Sequence, residues 1–170
     1  MDRPPRILVC TPEITYLPEG MGNMANRLTA KAGGLADVSA SLVAALYDGG
    51  ADVHVAFPHY RRMFGVNVGG FIEQELVLYR QKLPDDRIHL AEDRSFYYRD
   101  NVYSSYQHSN TKLALAFQRE LANNIIPRVR PDLIHCNDWM TGLIPAIARR
   151  MGIPCLFTIH NIHSYPVTLE

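Results

Sequence analysis

Asp132-Leu133-Ile134-His135-Cys136, then Asn137-Asp138, then a helical pattern from Trp139 to Met151, then Gly152 and the apolar run Ile153–Ile159: this stretch decides the fold. Both apolar runs are short and lack clean polar alternation, which marks strands buried on both faces. The segment between them has helical length and stops at Gly152, with Pro154 just beyond. Strand, helix and strand in about thirty residues form a parallel crossover unit.

The same grammar extends outward. Arg6–Cys10 and Asp52–Phe57 are two more buried-strand runs. Between them Leu35, Val38, Leu42, Ala45 and Leu46 recur at helical spacing and end at Gly49-Gly50. Leu113 to Ile126 predicts a further helix, closed by Pro127. The alternation gives an α/β fold: a doubly wound, Rossmann-like parallel sheet with helices on both faces. Two regions interrupt it. Phe71–Gln81 and Arg87–Leu90 bracket Pro84-Asp85-Asp86, which predicts an inserted antiparallel β-hairpin. Pro12–Ala30 has no steady period and reads as a long loop after the first strand, the kind that is functional or mobile. Glu92–Tyr106 reads as an aromatic loop whose tyrosines pack it.

Composition narrows the function. The 170 residues fit one domain, 47% apolar and 20% charged, with Lys+Arg and Asp+Glu both 17. No basic excess argues for nucleic acid, and no polybasic run argues for an anionic membrane. Ile7–Cys10 is too short an apolar run for a signal-peptide core or a bilayer span. Three cysteines without a Cys-x-x-Cys pair read as buried reduced thiols of a cytoplasmic protein. His54, His59, His89 and His108 share no ligand spacing, and His160-x-x-His163 follows a strand, so no metal site is expected.

In open parallel sheets, ligands bind outside the carboxyl ends of the strands. Three polar clusters fall there. Lys31-Ala32-Gly33-Gly34-Leu35-Ala36-Asp37-Val38 puts a cation and two glycines before a helix, an arrangement suited to a phosphate. It is neither a Walker A loop nor a Gly-x-Gly-x-x-Gly fingerprint. His135, Asn137, Asp138 and Trp139 follow the third strand, and His160, Asn161 and His163 follow the fourth. Each has a plainer reading: close helix–strand packing for the glycines, structural hydrogen bonding for His135 and His160, an N-cap for Asp138 and core filling for Trp139.

With these residues the chain resembles bacterial glycogen synthases and plant starch synthases. The shared blocks are Lys31–Val38, His135–Ala146 and Phe157–Asn161, in the family's order, with Tyr98–Asp100 where the family carries a similar tyrosine segment. The resemblance implies a retaining glucosyltransferase of GT-B fold that moves glucose from a nucleotide sugar, usually ADP-glucose, to the non-reducing end of an α-1,4-glucan. It implies no metal. It also implies catalytic roles for Lys31, Asp138 and His160, with Lys31, Gly33 and Gly34 on the donor's phosphate side. Asp37, Tyr98, Trp139 and Asn161 would shape the sugar pocket or acceptor wall. Ala32 stands where threonine is usual, Asn137 where a second histidine is frequent, and Pro12–Ala30 is longer than the family's connection.

On this reading residues 1–170 are one amino-terminal, acceptor-side domain, shortened after the Ile153 strand, without the carboxy-terminal domain that binds the nucleotide sugar. A cleft needs two walls, so the chain alone is expected to transfer no glucose. A non-catalytic glucan- or protein-binding module and another GT-B transferase, such as a sucrose-synthase-like enzyme, are the alternatives. A dinucleotide oxidoreductase lacks its glycine fingerprint here.

Overall fold

A computed structural model describes residues 3–22, 24–65 and 86–161. Its centre is a five-stranded, all-parallel sheet in the order β3-β2-β1-β4-β5. The strands are β1 (Arg6–Cys10), β2 (Asp52–Pro58), β3 (Ile88–Ala91), β4 (Leu133–Asn137) and β5 (Cys155–Thr158). β1 is the middle strand, with Val9 opposite both Val55 of β2 and His135 of β4. Leu8, Val9 and Cys10 are all fully buried, so both faces of β1 are covered, as the uninterrupted apolar run requires.

Among the described residues the α-helices are α1 (Gly34–Asp48), α2 (Arg94–Tyr97), α3 (Gln107–Glu120), α4 (Ile126–Val129) and α5 (Ile144–Met151). From β1 the chain winds outward through α1 to β2 and β3, then returns to β4 on the other side of β1. Right-handed crossovers therefore put α1 and α5 on opposite faces. The winding reverses between β1 and β4, and their carboxyl ends frame the crevice where such sheets bind ligands.

Several sequence expectations change in detail. Arg87–Leu90 is no hairpin arm: Ile88–Ala91 pairs in parallel with Val55–Pro58 at the sheet edge. The other arm, Phe71–Gln81, and the Pro84-Asp85 turn lie outside the described residues. Pro127 does not close its helix. α3 widens into one π turn at Leu121–Ile125, and the chain continues as α4 until Arg130, at φ 52°, ends it. The π turn restarts the ladder, so Pro127 falls in a first turn where its missing N–H is no loss. The Trp139 helix likewise opens as a 3-10 turn, Trp139–Thr141, before α5.

Pro12–Ala30 is not a loose loop. Its ends meet in an antiparallel bridge, with Ile14 N–H on Ala30 O and Ala30 N–H on Ile14 O, both 2.9 Å. Two 3-10 turns, Glu19–Met21 and Ala25–Arg27, fold the excursion back, and Leu17, Met21, Met24 and Leu28 are buried with the core. Tyr60, fully buried, donates its hydroxyl to Pro12 O at 2.9 Å.

Beneath the amino ends of β2 and β3 lies a directed polar chain. An arginine can only donate, so the contact from Arg128 Nη2 (3.2 Å) makes His89 Nδ1 an acceptor. His89 Nε2 then carries the proton and donates to His54 Nδ1 at 3.0 Å, leaving His54 Nε2–H 3.4 Å from Asp52 Oδ1. Burial, then the neighbouring His54 and Arg128, push the His89 imidazole down to about 3, and burial lowers His54 as well. The unfolded chain takes up these protons near pH 6.5, well before the folded one. Stability is thus fully present above that pH and falls as pH drops toward 3, by up to about 1.4 kcal/mol per pH unit for each proton taken up only on unfolding. Urea titrations at pH 7 and pH 4.5 check this: the midpoint falls at the lower pH, and His89→Gln flattens the difference.

Candidate functional site

The glycine loop is built from both sides. Gly33, extended at φ −157°, is the N-cap of α1, so the helix's first N–H groups have no intrahelical partner. Neither glycine sits at positive φ, and the close-packing reading fails: among the described residues, a Cβ added at Gly33 or Gly34 meets nothing within 4 Å. The space beside them belongs to no other part of the described chain. Lys31 Nζ bonds both oxygens of Asp37, at 2.7 and 3.0 Å, and Thr15 Oγ1 donates to Asp37 Oδ1 at 2.7 Å. Those hydrogen bonds, Lys31's first, hold the Asp37 carboxyl below its usual range.

Sequence reasoning missed the residue beneath this loop. Glu13, 2% exposed, accepts the N–H groups of Ala32 (2.5 Å) and Gly33 (2.9 Å) on Oε2, and the Tyr103 hydroxyl (3.1 Å) on Oε1. The Ala32 and Gly33 donors are therefore taken by an internal carboxylate. The expected anion contact is thereby left to Lys31 and the first turn of α1. Burial, then the charge of Glu13, holds the Tyr103 phenol far above its normal range, so it stays a donor. No local pattern marks Glu13, because its partners lie 19, 20 and 90 positions away.

Across the crevice stand the ends of β4 and β5. Asp138 is 2% exposed and sits at φ 63°, ψ 179°, a region that costs a non-glycine residue on the order of 1–3 kcal/mol. Three backbone bonds hold it there: its N–H donates to Thr158 O (2.9 Å), and its carbonyl accepts Thr141 N–H (3.0 Å) and Oγ1 (2.9 Å). Its side chain is no N-cap; the carboxylate accepts Asn161 Nδ2 at 3.3 Å. Trp139 is 38% exposed and tilts against Tyr103, centroids 6.2 Å apart, so it is a wall rather than core filling.

His160 is anchored by Asn137. Asn137 Nδ2 donates to Cys10 O at 3.3 Å, which makes its Oδ1 the acceptor, and His160 Nε2 lies 3.1 Å from that oxygen. The bond fixes the Nε2–H form of His160 and leaves Nδ1 to accept. His135, buried and bonded to Thr158 Oγ1 at 2.8 Å, is lowered by burial and then by His160; it is a structural group between strands.

Contacts thus join Gly33 through Glu13 and Tyr103 to Trp139, and Lys31 through Asp37 to Thr15, two residues after Glu13, while at the ends of β4 and β5 Asn137 and Asp138 hold His160 and Asn161. Tyr98 is not brought to this group: it is 75% exposed at the end of α2, with its ring against Tyr97. His163 lies outside the described residues. A second missed cluster occupies the ends of β2 and β3. There Glu92 accepts from His59 Nδ1 (2.6 Å), Tyr97 (2.6 Å) and Arg61 (3.0 Å), and Arg61 stacks on Tyr97. Burial opposes the Glu92 charge, but the His59 and Tyr97 bonds overcome it and hold the carboxyl down at about 2. The Asn137 anchor is checked by ¹⁵N NMR of the imidazoles: His160 shows the Nε2–H form, and Asn137→Ala removes that preference.

A family model described as the starch synthase catalytic domain matches residues 6–165. The glycogen synthase of Moorella thermoacetica is 32% identical over 183 aligned residues, covering 95% of this chain and 34% of that protein. The glycogen synthase of Geotalea daltonii is 30% identical, with 78% of this chain and 32% of that protein covered. Glycogen synthase 2 of Geobacter sulfurreducens is 32% identical over the same shares. The chain spans about a third of the length of the curated relatives it matches. No helix among the described residues is long and apolar enough to cross a membrane. With a family match that runs from β1 past β5 and relatives alike along 78% to 95% of its length, the chain belongs to the glycogen and starch synthase family.

Proposed function

We propose that this chain forms one wall of a glucosyltransferase cleft, working with a second, nucleotide-binding domain in the cytoplasm. The donor is a nucleotide sugar, ADP-glucose on the family's pattern, and the acceptor is the non-reducing end of an α-1,4-glucan. The observation that carries the reading is the open space at Gly33 and Gly34, at the start of the helix that follows β1, the strand beside which the winding reverses, bordered by Lys31. A departing nucleoside diphosphate gathers negative charge as the glycosidic bond breaks. Lys31 and the first-turn N–H groups of α1 answer that charge where it develops. In this role Lys31 exchanges part of its pairing with Asp37 for the phosphate.

The other half of the site handles sugar. His160, held as the Nε2–H form, presents Nδ1 as an acceptor for a hydroxyl of the transferred glucose. The Asp138 carboxylate and the Asn161 amide supply an acceptor and a donor beside it, and Trp139 offers a flat apolar wall. No protein metal ligand enters this scheme, and on this wall of the cleft the leaving charge is met by Lys31 and the helix start.

Kinetics on the full-length enzyme test the reading. Lys31→Ala and His160→Ala each lower kcat/KM by on the order of a hundredfold, the scale of one lost transition-state contact. A rate within about twofold of wild type for both would remove the assignment. Gly34→Ala separates ligand space from packing: the helix position tolerates alanine, so the melting temperature holds or rises while transfer falls. The isolated 170-residue chain turns over no ADP-glucose in the presence of glycogen; detectable product from it would refute the two-walled cleft.

A further inference from the structure

We propose that Glu13 is a positioning residue of the transfer reaction: its carboxylate clamps the Lys31–Gly34 loop in its receiving geometry and couples it to the Tyr103–Trp139 wall. The proposal rests on the function proposed above. Its physical basis is a match of acceptor and donors in a buried place. A carboxylate only accepts, and here both oxygens are used, Oε2 by the Ala32 and Gly33 N–H groups and Oε1 by the Tyr103 hydroxyl. Bonds to a charged acceptor are about twice as strong as neutral ones.

Glu13 is itself held. Its carbonyl accepts Thr11 Oγ1 at 2.9 Å, and Thr11 Oγ1 also contacts Ser39 Oγ of α1 at 2.8 Å. The next residue, Ile14, is bridged to Ala30, immediately before Lys31. The residue after that, Thr15, reaches Asp37 and through it Lys31. Three consecutive residues thus set the loop's floor, its entry and its lysine. The clamp also directs the donor. With Ala32 and Gly33 engaged below, an incoming phosphate meets Lys31 and the helix start instead. Removing Glu13 frees two N–H groups for the wrong contact and releases the loop from the Tyr103 side.

The test uses the full-length enzyme with Glu13→Ala, Glu13→Gln and Lys31→Ala, reading amide hydrogen exchange and transfer rate separately. The expected result for Glu13→Ala is faster exchange at Ala32 and Gly33, unchanged protection at the core amides of Leu8 and Val9, and a kcat ten- to a hundredfold lower, on the order of what a small misplacement costs. Formate, a small carboxylate able to enter the vacated space, restores both exchange protection and rate, and chloride restores neither. Glu13→Gln, which keeps an oxygen acceptor, retains more of the protection than Glu13→Ala. Unchanged exchange in Glu13→Ala overturns the clamp whatever the rate does. Faster exchange with a rate within about twofold overturns the positioning role. In that case Lys31→Ala decides separately whether the loop serves transfer at all: a large loss there leaves the function standing without Glu13. A loss in Glu13→Ala that formate does not reverse, with the core still protected, also overturns the proposal.

Discussion

The parallel pairing of β1 with β4 is the constraint on which the rest depends. β1 has partners on both sides, and the chain reaches β4 only after winding away through β2 and β3. That reversal leaves the carboxyl ends of two adjacent strands without a crossover segment above them. The Asn137 amide on the Cys10 carbonyl locks the two ends together at their last residues. The glycine loop leaves from one of these ends and the Asp138 turn from the other. Their separation is therefore set by the spacing of two hydrogen-bonded strands.

Within the crevice, charge is handled by pairing each strong group with a local partner and leaving a small set facing outward. Glu13 is buried, and its acceptors are filled by backbone and phenol donors. Lys31 and Asp37 are half-exposed, so their ion pair is screened and easily exchanged. The contrast matters. A buried, satisfied carboxylate fixes geometry, whereas an exposed pair can give up a partner to a ligand at small cost. Asp138 adds a different ingredient, a backbone held in a glycine-like conformation by three hydrogen bonds. Such strain persists only where the surroundings over-determine it.

Much of the architecture was legible in the sequence because it rests on local apolar runs. Arg6–Cys10 is β1 to the residue, and the other three predicted strands overlap β2, β4 and β5, since an unbroken buried run is its own signal. What escaped was set by distant partners. Ile88–Ala91 could not be told from a hairpin arm, because strand direction depends on the chain path and not on the strand's residues. Pro127 reads as a stop in any local rule, and only the π turn before it explains its tolerance. At the site, Lys31, the glycines, Asp138 and His160 carried visible motifs. Glu13 and Tyr103 did not, since a buried acceptor and its donor ninety residues apart leave no periodicity. Tyr98, in a suggestive segment, stands exposed at a helix end with its ring against Tyr97.

The Ile14–Ala30 bridge has a consequence for how the chain tolerates change. It joins the two stems of the excursion before the glycine loop begins, so residues 15–29 hang from a fixed pair of hydrogen bonds. Lengthening such a loop adds only slowly to its closure cost. The excursion can therefore be rewritten in length and composition while Lys31 still leaves the bridge at the same point and in the same direction. The bridge acts as a pin between the outer segment and the geometry inside it. Change in the outer segment then leaves the start of the glycine loop where the bridge puts it.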